Sequence, residues 1–248
     1  MGRIHAKAVD VLVDEFNFDS ETNSAEVAIL PSLAECTAFA DADATFVEGK
    51  PGFTFTINGL FSTSSENYDG EMFTDLTTVG RRVGFYPDQF TDGKFGWEGE
   101  TNPGPQERTS DLIGAIALNV TWRGDKPVIR SQVLDQGTGF SSTATGTAYE
   151  HGSVASTKKV VSILRLLAAP GGSGSNNCIV TIQSDTTGFS SPTTRLTFTT
   201  LNQSSIALHE VKEANGAITD TFWRSVITIS GGGSRTFNLV IVMGIIDQ

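Results

Sequence analysis

The residues able to do chemistry in this chain are few and scattered. Its 248 residues include three histidines (His5, His151 and His209) and two cysteines (Cys36 and Cys178). The cysteines match no paired-thiol or zinc-ligand spacing and read as small apolar fillers in a reducing compartment. The histidines stand in three separate contexts with no convergent cysteine or carboxylate pattern, so each reads as a surface or edge residue. Asp41-Ala-Asp43-Ala-Thr45 begins like a calcium loop, but Phe46 stands where the sharp-turn glycine belongs and Gly52 where the bidentate glutamate belongs. Asp14, Glu15 and Asp19 could in principle do acid–base work. Without a partner in the pattern they read as a solvated acidic face. No G-x-S-x-G elbow, P-loop or dinucleotide fingerprint is present. The sequence therefore predicts no catalytic residue, no metal and no cofactor.

Charge is unevenly spread. The formal net charge is −11, and 23 of the 28 acidic residues lie before residue 151, against 10 of the 17 basic ones. Such a surface repels phosphate backbones and disfavours stable nucleic-acid binding. No apolar run is long enough to span a membrane. The N-terminal MGRIHAKAVDVLVDEF lacks the apolar core of a signal peptide, so export by the standard route is not expected.

The elements that would position any site are mostly strands. Twenty-six glycines, with abundant threonine and serine, favour an all-β chain with many turns. The clearest segment is FVEGKPGFTFTINGLF, residues 46–61. There Phe53, Phe55 and Ile57 alternate with Thr54, Thr56 and Asn58, which predicts a strand with one apolar and one small-polar face. Residues 31–52 and 87–111 read as long loops. Met72, Phe73 and Leu76 mark one short helix over 69–78, stopped by Gly80. Strands are expected at 4–13, 27–30, 81–86 and 112–122, the last forming a hairpin with 128–134. GTGFSSTATGTA, residues 137–148, reads as a linker, giving domains 1–148 and 149–248. In the second, strands are expected at 160–167, 178–184, 195–200, 206–211, 222–230 and 237–246, the last two as a hairpin. This half is an antiparallel β-sandwich or a second module resembling the first.

In this order the segments ADADATFVEGKPG, FTFTINGLF, YDGEMFTDLTT and RRVGFYP resemble the major tail tube proteins of long, non-contractile-tailed bacteriophages. VVSILRLL, QSDTTGFSSPTTRLTF and RTFNLVIVMGI are similar to segments near the ends of such proteins. The resemblance covers most of the chain, through patterns rather than a diagnostic residue. It implies a tube-type β-sandwich with one short helix, whose inner sheet joins a multi-subunit β-barrel. Rings of subunits would stack into the hollow virion tail that conducts DNA without binding it. Tail terminator, tape measure and tail tip proteins would be partners. Under this reading Thr54, Thr56 and Asn58 are candidate lumen-facing residues. Asp41, Asp43 and Glu48 are candidates for a loop reaching the next ring.

A faint echo between the two halves favours three subunits with pseudo-sixfold symmetry over six. The alternative function is a β-sandwich that binds carbohydrate or decorates a virion surface. Trp97 would be its exposed aromatic, Trp122 and Trp223 being core.

Overall fold

A computed structural model describes residues 9–19, 22–30, 33–36, 43, 46–48, 52–60, 78–109 and 116–248. These form strands, turns and bends without a helix, and the fold is all-β. The helix expected over 69–78 lies outside the described residues except for Thr78. Strands β1 (Asp10–Val13) and β2 (Phe16–Asn17) form a hairpin, followed by β3 (Thr22–Leu30), β4 (Leu33–Glu35), β5 (Phe46–Glu48) and β6 (Gly52–Leu60). Next come β7 (Arg81–Tyr86), β8 (Phe95–Thr109), β9 (Ala117–Gly124) and β10 (Ile129–Phe140). The remainder supplies β11 (Ala144–Thr145), β12 (Tyr149–Glu150), β13 (Lys158–Leu166), β14 (Asn177–Asp185) and β15 (Thr193–Thr197). It ends with β16 (Leu208–Asn215), β17 (Phe222–Ser230) and β18 (Phe237–Asp247). The Gly/Ser/Thr segment 137–148 thus carries the end of β10 and all of β11.

The chain forms two compact units that interleave along the sequence. One comprises 1–17, 86–97 and 129–248, and the other 18–85 and 98–128. The first is a sandwich. Its antiparallel sheet β16-β13-β18-β10 packs against a second sheet, β11-β17-β14-β15, with β12 also paired to β17. Leu164, Leu239, Ile241 and Met243 from one sheet and Val180, Ile182, Trp223 and Ile227 from the other fill the space between them. The opposite face of the first sheet is covered too, with Val133, Ile163, Val240 and Val242 packed around Leu12, Tyr86 and Phe90. A strand buried on both faces loses its polar alternation, which is why β18 reads as the continuous apolar run LVIVMGII.

The second unit is built on the antiparallel sheet β3-β6-β9-β8, with β7 beside β8. Phe53, Phe55, Ile57, Val120 and Trp122 are its buried face. Here the structure corrects the expected loop over 87–111, because residues 95–109 are a fifteen-residue strand. The glycines and prolines that suggest a loop have long-range reasons. The ring of Phe53 covers Gly99, and a bulge between Pro103 and Gln106 absorbs the residues lacking an N–H. The expected loop over 31–52 likewise contains a two-stranded ribbon, β4 paired with β5.

Two expected hairpins are also corrected. β9 pairs with β6 and β8, while β10 pairs with β18. β17 and β18 lie in different sheets. The SGGGSR connection between them bridges Gly174 through Gly233 and Gly171 through Thr236, so it is held by another loop and does not close a hairpin.

Candidate functional site: the polar face of the β6 sheet

β6 places its two side-chain sets as a pleated strand must. Phe53, Phe55 and Ile57 are 4% exposed or less, while Thr54, Thr56 and Asn58 are half-buried on the other face. Antiparallel register then sets their neighbours. Asn58 lies between Ser24 of β3 and Asn119 of β9, and Glu107 of β8 follows. Thr56 lies between Glu26 and Thr121, and Thr54 between Ala28 and Arg123, with Asn102 beyond.

Hydrogen bonds run across the strands of this face. Asn119 Nδ2 donates to Asn58 Oδ1, Asn58 Nδ2 donates to Ser24 Oγ at 2.9 Å, and the hydroxyls of Thr56 and Thr121 lie 3.4 Å apart. The amide and hydroxyl groups at the centre of this face are already paired sideways, so they are neutral and engaged with one another. Charge sits at its margins. Glu26 and Glu107 are exposed acids, Arg123 is an exposed base, and Glu100 is held by Arg82 at 3.3 Å and Lys126 at 2.7 Å.

Thr54, Thr56 and Asn58 are therefore brought together on one face, joined by Ser24, Glu26, Asn119, Thr121 and Arg123. These additional residues were readable. In β9, Asn119, Thr121 and Arg123 alternate with the buried Val120 and Trp122. In β3, Ser24 and Glu26 alternate with Ala25 and Val27.

Among the described residues this face ends at the outer edge of β3. β3 is nine residues long and its only strand partner is β6, so its outer row of backbone groups has no ladder among the described residues. On the core-facing side of that edge Ile29, in register with Phe53, is 49% exposed.

The ribbon candidates are placed less fully. Asp43 is an exposed bend, Glu48 pairs by backbone with Leu33 in β5, and Asp41 lies outside the described residues. On the same ribbon Glu35, Cys36 and Phe46 are exposed. Trp122 and Trp223 are fully buried, and Trp97 is half-buried within β8.

The histidines and cysteines divide by burial. Burial pushes the Cys178 thiol up to about 12 and lowers His151 to about 4. Two expectations about ionisable groups are overturned. Asp14 is fully buried and not part of a solvated face. His209 does meet carboxylates, with Nδ1 3.1 Å from Glu15 Oε2 and Nε2 3.4 Å from Asp14 Oδ1. The first pair is 194 positions apart in the chain, which puts it beyond any motif spacing.

No protein-family model and no curated protein matches the chain. Among solved structures it is similar to a chain in the virion of a native gene transfer agent particle, at a TM-score of 0.41 and 8% identity. That match covers 51% of this chain and 97% of the other. It is similar to the SPP1 Dit protein, from the hub adsorption apparatus of phages infecting Gram-positive bacteria, at a TM-score of 0.38 and 8% identity. This match covers 96% of this chain and 99% of the other. It is similar to the SPP1 tail tube at a TM-score of 0.37 and 9% identity, covering 50% of this chain and 77% of the other.

Proposed function

We propose that this chain is a structural subunit of a bacteriophage tail, joining copies of itself edge to edge into a closed ring whose rings stack into a hollow tube. The observation that carries this reading is the outer edge of β3, which has no strand partner among the described residues, directly beside a sheet face of paired amides and hydroxyls. A nine-residue open edge with a half-exposed isoleucine is a liability for a monomer. Closing a sheet across subunits removes that liability. The face made by Thr54, Thr56, Asn58, Asn119 and Thr121 would then line the channel, and DNA would slide along it without specific binding. The ribbon of β4 and β5, with Asp41, Asp43 and Glu48, would reach the next ring. An isolated two-stranded ribbon is marginal alone, and such a contact would support it. We favour three subunits per ring with pseudo-sixfold symmetry, and a tail location in the virion.

Electron microscopy of the purified protein at high concentration tests the reading. Rings or tubes with a central channel are expected. Protein that stays monomeric and is missing from virion tails would overturn it, and six identical inner units each with its own outer lobe would overturn the three-subunit form.

A further inference from the structure

The turn between β1 and β2 meets β16 at a cluster of ionisable groups unrelated to the polar face. Asp14 and Glu15 form the turn, and His209 stands with one ring nitrogen toward each carboxylate. Asp14 has no exposure, and the side chains of Glu15 and His209 are 19% and 30% exposed. Arg165 of β13, in register with His209, is fully buried and donates its Nε–H to the main-chain carbonyl of Asp14.

The other charges of β16 are engaged elsewhere. Glu210 pairs with Lys212 and Thr199, and Glu213 with Lys159. β18 offers only Val240 opposite Arg165. The charged groups that meet this imidazole directly are Asp14 and Glu15, with Arg165 beside it on β13.

We propose that His209 is a proton-operated latch for the β1–β2 hairpin. A neutral imidazole carries one N–H, so it donates to one carboxylate and turns a lone pair toward the other. A second proton gives both nitrogens an N–H and adds a positive charge, converting both contacts into charge-assisted hydrogen bonds.

The latch holds one end of β1. The other end is held by Asp10, whose Oδ2 accepts the Phe90 N–H at 2.6 Å, with Leu12 packed between on Tyr86, Val133 and Ile163.

Amide hydrogen exchange of the full chain, expressed as protection factors over residues 12–16 with the His209 ring shifts followed by NMR, tests it. Protection is expected to fall on the order of tenfold as pH is raised across the range in which the His209 ring shifts change. His209→Gln should remove this pH dependence, and Glu15→Gln should reduce it while leaving the packing of Leu12 in place. Protection that is flat with pH in the natural chain, or a pH dependence that persists in His209→Gln, overturns the latch. Zinc at micromolar concentration perturbing His209 in the natural chain but causing no change in His209→Gln would also overturn it, in favour of a metal site.

Discussion

The ring of Phe53 lies over both Gly124 and Gly99, where an added Cβ would fall 2.2 Å and 2.4 Å from it. This contact presses the apolar side of β6 against its neighbours and so commits Thr54, Thr56 and Asn58 to the opposite side. Gly124→Ala should destabilise the protein by about 1–3 kcal/mol through overpacking against a buried ring that cannot swing away. Gly52→Ala, with open space around it, should be close to neutral. Denaturant unfolding of the two variants checks this, and equal midpoints would contradict the packing described.

His151 predicts a pH dependence of stability. Burial lowers it from 6.5 to about 4, and its Nε2 is buried without a hydrogen-bond partner among the described residues. The unfolded chain therefore binds a proton that the folded chain refuses between those values. The contribution is fully present above pH 6.5 and is lost as pH falls toward 4, on the order of 2 kcal/mol across the window. Thermal melts of the natural chain and His151→Gln at several pH values should converge near pH 7 in slope and diverge below pH 6.5. Parallel curves would contradict the assignment.

Asp135 acts in the opposite direction. Burial, only partly offset by the Ser225 hydroxyl at 3.1 Å and the Gln136 N–H, raises its pKa, and Asp92 is raised by its own burial and by Asp135. A carboxylate with a raised folded pKa stabilises most when protonated, and its contribution declines as pH rises from 3.8 through the raised value. Asp135→Asn should flatten that decline in melts recorded from about pH 3.8 upward, and an unchanged slope would count against it.

The two thiols should react unequally. Cys36 is exposed, whereas Cys178 is buried with its thiol pushed up to about 12. A thiol-reactive dye should titrate one cysteine in the native protein and two after unfolding, because the thiolate is the nucleophile and burial withholds it. Rapid labelling of both in the native state would be inconsistent with the packing around Cys178.

The proposed assembly makes Ile29 the sensitive position. Ile29→Lys places a charge at a half-exposed edge residue, so the melting temperature should hold within a few degrees while self-association is lost. Light scattering and electron microscopy read this directly. Thr56→Lys with Thr121→Lys should instead permit assembly and slow genome passage, and unchanged ejection kinetics would argue that this face does not line a channel.

Strand alternation was legible from the chain alone because it is a local property of the pleat. The faces of β6 and the burial of Trp122 and Trp223 follow from which residues repeat at a period of two, whereas β18 shows as a continuous apolar run. What a strand pairs with is not local, and there the tertiary structure decided. β17 and β18 are consecutive, yet they occupy opposite sheets and bury Trp223 and Ile227 against Leu239 and Ile241 in the core between them. β8 looks like a loop until Phe53 covers its Gly99 and a bulge accommodates its prolines. His209 gains Asp14 and Glu15 only when β13 and β16 carry it to the β1–β2 turn, across a distance in sequence that no spacing rule reaches.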